Sequence, residues 1–252
     1  MLGYFLTDQG QVRNHNEDAG GVFSEKAPIL AVVADGMGGH QAGDVASRMA
    51  TDHLHNKWKE SGTIATPEEA EQWMIETVRS ANDEIKAYAD EHEECQGMGT
   101  TIVAAISTDQ FATIAHIGDS RCYLANAYGF QSVTDDHSLV NELVRTGQIT
   151  EEEAEHHPRK NVLLKALGTE FGLEPDVRTL EFEKDDRLLL CTDGLTNKVN
   201  DQELSELKDF HGEWEDFCRR LIELANARGG EDNITLAVVH YDSATHEKEG
   251  VQ

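Results

Sequence analysis

The chain has 252 residues, with 21 Lys plus Arg against 48 Asp plus Glu, a formal net charge of −27 and 38% hydrophobic residues. That length allows one large or two small domains, with roughly 70–75% of the unfolded surface buried on folding. The charge excludes a binder of nucleic acid or of an anionic membrane, since both need basic patches.

Cys95, Cys122, Cys191 and Cys218 are scattered without a C-x-x-C spacing, so reduced thiols are expected rather than a zinc knuckle or a disulfide framework. The opening segment MLGYFLTDQG lacks a basic stretch followed by a long apolar one, and the longest clear apolar run, 29–34, is too short to span a bilayer. A soluble cytoplasmic protein without a membrane segment is expected.

Alternation and β-branched content predict strands at 4–8 and 29–34. A helical pattern follows at 42–57, and Thr66, Pro67 and Glu69 supply the acceptor, N1 proline and reaching acid that start a second helix running to about Glu91. Strands at 101–107, 112–117 and 121–125 come next, and Thr150 with Glu153 repeats the capping pair before a short helix. Strands at 177–182 and 187–191 precede a last long helix at 214–227. Its Trp214, Phe217, Cys218, Leu221, Ile222 and Leu224 fall near helical spacing, and Gly229 and Gly230 stop it. A final strand at 234–241 leads into a polar tail, 243–252, expected to fray. Strands followed by helix pairs, rather than strict alternation, favour an α+β fold with antiparallel sheets.

Five aspartates stand at strand ends or turns in separate segments: Asp18 in NED, Asp35 in AVVADGMGG, Asp119 in IAHIGDSR, Asp193 in LLLCTDG and Asp232 in GGEDNIT. Two carboxylates about 4 Å apart repel by ~4 kcal/mol at an effective dielectric of roughly 20, so convergence would need a cation. Oxygen donors without a Cys or His cluster suit Mg²⁺ or Mn²⁺ rather than zinc. The strand, glycine turn and helix around Asp35 could also open a dinucleotide-binding unit, but Gln41 stands where the last glycine belongs and Asp35 would repel a pyrophosphate. Gly36 instead suggests an unusual backbone turn that exposes its carbonyl beside Asp35. CTDGLTN invites comparison with the D-x-D-G of haloacid-dehalogenase phosphatases, but Cys191 occupies the nucleophile's place, as Val33 does before Asp35. Ser120 lacks a nucleophile elbow, and His53, His55, His156 and His157 share no ligand spacing and are expected on the surface.

The ordered set RNHNED (13–18), DGMGGH (35–40), GMGTT (97–101), GDSR (118–121), TDDHSL (134–139), CTDGL (191–195) and EDNIT (231–235) strongly resembles the metal-dependent protein serine/threonine phosphatases of type 2C (PPM), in their compact bacterial form. The resemblance runs from about residue 3 to 241. It implies a four-layer α-β-β-α sandwich of two antiparallel sheets flanked by antiparallel helix pairs. The catalytic domain would span 1–242, with a flap at roughly 139–179 that influences substrate choice.

The same resemblance implies that Asp35 bridges two Mn²⁺ or Mg²⁺ ions, that the Gly36 backbone oxygen ligates one, and that Asp193 and Asp232 ligate the other. Asp18 acts on the ions through water, Glu17 acts similarly, and Asp119 helps hold a third, weaker ion. Arg13, at the family spacing before Glu17 and Asp18, forks onto substrate phosphate as lysine would not. His40 is a candidate general acid, although some members place this histidine directly after the DG pair, where Met37 stands here. The implied reaction is hydrolysis of phosphoserine and phosphothreonine by water activated between two ions. The alternative is a pseudophosphatase that binds phosphoproteins without turnover, against which the complete ligand set argues. Implied partners are phosphorylated proteins and an opposing serine/threonine kinase, with the enzyme itself a monomer.

Overall fold

The chain's apolar, β-branched runs pair into two antiparallel sheets in the computed structural model, which describes residues 1–24, 28–39 and 42–242. In chain order the elements are β1 (Leu2–Asp8), β2 (Asp18–Phe23), β3 (Ile29–Met37), α1 (Ala42–Glu60), α2 (Pro67–Glu91), β4 (Gly99–Thr100), β5 (Ile102–Ser107), β6 (Phe111–Ile117), β7 (Arg121–Asn126), β8 (Gly129–Ser132), α3 (Leu139–Arg145), α4 (Glu151–Glu155), β9 (Asp176–Glu181), β10 (Arg187–Cys191), α5 (Asp193–Thr196), α6 (Asp201–Leu204), α7 (Trp214–Ala227) and β11 (Ile234–His240). One sheet runs β1-β11-β10-β7-β8; the other runs β2-β3-β5-β6-β9, with β4 pairing to β3.

Period-two alternation sends each strand's side chains to two different cores. On β3, Ala31 and Val33 pack between the sheets with Val103, Ile114, Leu188, Leu190 and Val239, while Leu30 and Val32 face the α1–α2 layer. On β10, Leu189 and Cys191 face the opposite layer, where α7 lays down Phe217, Cys218, Leu221 and Ile222. The result is the four-layer α-β-β-α sandwich expected from the resemblance. In the α7 layer the long helix is accompanied by the short α5 and α6, which share its core through Leu195 and Leu204.

The helix starts follow the sequence signals. The Thr66 hydroxyl accepts the Glu69 N–H at 3.3 Å while the Glu69 carboxylate accepts the Thr66 N–H at 3.3 Å, and Thr150 with Glu153 repeats the box on α4. The α1–α2 pair is tied across its surface by His53, whose Nδ1 lies 2.6 Å from the Glu84 carboxylate. His53 is therefore not the surface histidine expected, since only 11% of its side chain is exposed. Among the described residues, no helix is long and apolar enough to cross a membrane. His40 and the tail at 243–252 lie outside the described residues.

Candidate active site

The site forms where loops and strand ends of both sheets meet. Asp18 opens β2 and stands directly opposite Asp35 in the β2–β3 ladder, a juxtaposition of like charges that destabilises a bare sheet. The β2 strand itself was not legible in the sequence, because Gly20 and Gly21 interrupt its pattern. A Cβ on Gly20 would come within 2.4 Å of the Val32 carbonyl and 2.7 Å of the Phe5 ring, so close packing of backbone against neighbour requires glycine there.

Asp35 is fixed by its backbone. Its N–H donates to the Thr101 hydroxyl at 2.9 Å, and its carbonyl accepts the Thr101 N–H at 2.8 Å and the Thr100 hydroxyl at 2.9 Å. The GMGTT motif thus clamps the strand end that carries the aspartate. Gly36 is needed for close approach and does not adopt the unusual turn expected, since its φ is not among the positive values. A Cβ there would lie 2.1 Å from the Gly43 carbonyl and 2.5 Å from the Glu17 carbonyl.

Asp119 follows Gly118, whose φ of 106° is a glycine conformation. Ser120 is buried, with its hydroxyl 2.7 Å from that of Thr101, so the GDSR turn positions Asp119 against the Asp35 clamp. Beyond it, Arg121 makes a bidentate pair with Asp136 at 2.8 Å for both bonds. Asp193 sits on the first turn of α5, its Oδ2 accepting the Asn197 amide at 3.0 Å. Asp232 accepts Arg13 Nη2 at 2.9 Å, and Arg13 Nη1 lies 3.7 Å from Glu17. Arg13 is therefore held at the cluster's edge, with 46% of its side chain exposed.

The carboxylates share one electrostatic neighbourhood. Burial, then Asp18, Asp193, Asp119 and Asp232, hold Asp35 well above the usual carboxylate range. Burial pushes Asp18 up to about 7 and, with Asp193 and Asp136 adding, Asp119 up to about 7 as well. Asp193 is also raised, by burial and by Asp232. Asp18 Oδ1 and Asp193 Oδ1 are buried without a hydrogen-bond partner. Buried, mutually repelling oxygens of this kind fit a hard divalent cation, which would supply both charge and ligation. Among the described residues, no group of three His, Cys, Asp or Glu side chains stands ready to hold an ion alone. An ion here would also draw on backbone oxygen and water, as Mg²⁺ commonly does.

Three polar residues beyond the expected set organise the cluster. Thr192 is wholly buried and donates its hydroxyl to Asp18 Oδ2 at 3.0 Å while accepting the Thr235 N–H at 3.0 Å. Thr235 in turn lies 2.7 Å, hydroxyl to hydroxyl, from Thr7. Asn233 bonds across to the β1–β2 loop. Thr192 and Asn233 each flank an aspartate in a motif and Thr235 closes EDNIT, which is the only signal the sequence offers for them. Cavities of about 420 and 430 Å³ lie elsewhere, between α1 and α2 and at the Ile29–Phe111 end of the sandwich, and no member of the acidic cluster lines either.

Comparison with known proteins agrees with this geometry. The protein phosphatase 2C family matches residues 9–235. The serine/threonine phosphatase stp of Listeria monocytogenes is 49% identical over 244 residues, covering 96% of each chain. The crystal structure of the serine/threonine phosphatase Stp1 from Staphylococcus aureus superposes with a TM-score of 0.88 at 41% identity, covering 94% of each chain. A catalytic domain of the serine/threonine protein phosphatase PstP, in complex with two manganese ions, gives a TM-score of 0.81 at 34% identity, covering 94% of this chain and 96% of that one. Sequence, two-sheet architecture and acidic cluster lead to one conclusion: the chain is a phosphatase and belongs to the protein phosphatase 2C family.

Proposed function

We propose that this enzyme hydrolyses phosphoserine and phosphothreonine in proteins at a centre of two Mn²⁺ or Mg²⁺ ions. The observation that carries the reading is the convergence of carboxylates from five separate segments: Asp18 stands opposite Asp35 in the β2–β3 ladder, and Asp119, Asp193 and Asp232 repel Asp35. Asp35, the Gly36 carbonyl, Asp193 and Asp232 would hold the two ions. Asp119 helps hold a third, weaker ion.

When bound, such ions acidify water and offset the charge of the phosphate. The chain's own groups do the rest. Arg13 presents a planar fork to the phosphate oxygens and fixes the ester's orientation. Asp18, whose Oδ2 accepts the Thr192 hydroxyl at 3.0 Å, would orient the attacking water, and Glu17 would back it. His40 donates the proton that the leaving serine or threonine oxygen requires.

The enzyme acts as a monomer. Four free, buried cysteines support a reducing, cytoplasmic setting. In signal transduction the enzyme opposes a serine/threonine kinase, and the flap at 139–179, within a catalytic domain spanning 1–242, selects among phosphoproteins. The test is phosphate release from a phosphothreonyl peptide with and without Mn²⁺. Release that needs Mn²⁺ and is lost in Asp193→Asn supports the reading. Release that survives chelation, binding of the peptide without release, or an aspartyl phosphate trapped by beryllofluoride would each refute it.

A further inference from the structure

The nine residues 9–17 that connect β1 to β2 carry Arg13, the phosphate-contacting residue of the proposal above. A loop of this length has no ladder to fix it, yet an arginine fork works only if its backbone is held. The geometry points to Asn233 as the positioning residue that holds this loop, and through it Arg13, in the phosphate-binding arrangement. The inference rests on Arg13 contacting phosphate.

Asn233 is 3% exposed, and its side chain spends every bond on the one loop. Its Oδ1 accepts the Glu17 N–H at 2.8 Å, and its Nδ2 donates to the Gln9 carbonyl at 2.8 Å and the His15 carbonyl at 3.0 Å. One amide therefore grips both ends of the loop. Within it, the Gln9 side chain donates to the Arg13 carbonyl at 2.6 Å, relaying the grip to the arginine's own backbone. The loop also lies close along the 230–233 segment. Gln11 N–H donates to the Gly230 carbonyl at 2.7 Å, and a Cβ on Gly10, whose φ is 79°, would meet the Asp232 carbonyl at 2.2 Å. Only an amide matches this pattern, one acceptor facing an N–H and two donors facing carbonyls. Aspartate has the same shape but would face the Gln9 and His15 carbonyls with an oxygen, turning two attractions into repulsions.

Asn233 adjoins Asp232, so its action through the loop must be separated from action on the ions. The experiment compares Arg13→Ala, Asn233→Ala, Asn233→Asp and the Arg13→Ala/Asn233→Ala double variant, all in the full chain. An aryl phosphate serves as substrate, Mn²⁺ binding is measured by calorimetry, and amide hydrogen exchange is followed over 9–17. In both Asn233 variants we expect KM to rise about tenfold with kcat within about threefold, faster exchange at Glu17, and Mn²⁺ affinity within about threefold of wild type. The double variant should have the KM of Arg13→Ala alone, as expected for residues acting through one contact. Fully additive KM effects, a fall confined to Mn²⁺ affinity, or unchanged exchange at Glu17 would overturn the inference. So would a failure of both Asn233 variants to fold, because the residue would then hold the core rather than the loop. If Arg13→Ala itself leaves KM unchanged, the phosphate contact fails instead, a distinct result.

Discussion

Replacing Thr192 by valine removes a single hydroxyl from the middle of the site without changing the side chain's shape. That hydroxyl has one proton and gives it to Asp18 Oδ2 at 3.0 Å, the alternative acceptor, the Thr235 carbonyl, being farther at 3.5 Å. It also accepts the Thr235 N–H at 3.0 Å, in a place closed to water. Valine therefore strands a buried N–H, costing about 1–3 kcal/mol, and deletes a bond worth about 1 kcal/mol to a neutral carboxyl or about 1.5–3 kcal/mol to a carboxylate. Burial sets the Asp18 carboxyl at about 7 in the metal-free protein, so the bond is neutral at pH 5 and charge-assisted at pH 8. The expected loss is about 3 kcal/mol at pH 5 and about 4 kcal/mol at pH 8. At about 2–4 °C per kcal/mol for a chain of this size, Tm falls by about 6–12 °C at pH 5 and about 8–16 °C at pH 8. Calorimetry in chelator at the two pH values reads both quantities, and Thr192→Ser, which keeps the hydroxyl, should recover most of the loss. A fall below about 3 °C at pH 8, or a larger fall at pH 5 than at pH 8, would show that the hydroxyl does not carry these bonds.

Other consequences follow from the same geometry. Asp18 and Asp119 titrate near 7 when folded, well above about 3.9 when unfolded, so the folded state retains protons that the unfolded state releases. Their stabilising contribution is complete below about pH 4 and lost as pH rises through about 7. The metal-free protein should therefore lose Tm from pH 5 to pH 8 while the Mn²⁺-saturated protein does not; a metal-free protein that gains stability over that interval contradicts the coupling. Asn82 is wholly buried and anchors the 168–170 segment, accepting the Gly168 N–H at 2.9 Å and donating to the Glu170 carbonyl at 2.8 Å. Asn82→Ala should lose about 2–4 kcal/mol and open the 160–175 segment to limited proteolysis; resistance equal to wild type would refute the anchoring role. Arg13→Lys keeps the charge but loses the fork, and should raise KM by about tenfold with kcat little changed. Wild-type steady-state kinetics in that variant would remove Arg13 from phosphate binding.

The long elements were legible because their periodicity is strong. The 187–191 strand and the 214–227 helix match β10 and α7 as observed, and the two threonine capping boxes start their helices as expected. What escaped had weak local signals. Gly20 and Gly21 hide β2 because the strand uses the absence of side chains to let Phe5 and the Val32 backbone approach. With β2 went the cross-strand opposition of Asp18 and Asp35, the most direct reason the site needs a cation. Asn200 and Glu203 form a capping box on α6 that was present in the sequence but too short-lived to stand out among loop residues. Four of the aspartates were legible because Asp35, Asp119 and Asp193 each end an apolar run beside glycine and Asp232 stands at the edge of one near glycine, while Asp18 joined them through NED at a turn. Thr192, Thr235 and Asn233 were not, since their bonds join residues up to 228 positions apart.

The central claim is that Asp35 holds two ions at once. Calorimetric titration of the metal-free protein with Mn²⁺, read for stoichiometry in wild type and in Asp35→Asn, measures this directly. We expect at least two ions per wild-type chain and loss of both tight sites together in the variant, because a bridging carboxylate serves each. An Asp35→Asn protein that still binds two Mn²⁺ ions with wild-type affinity would contradict the bridging role and the proposed centre with it.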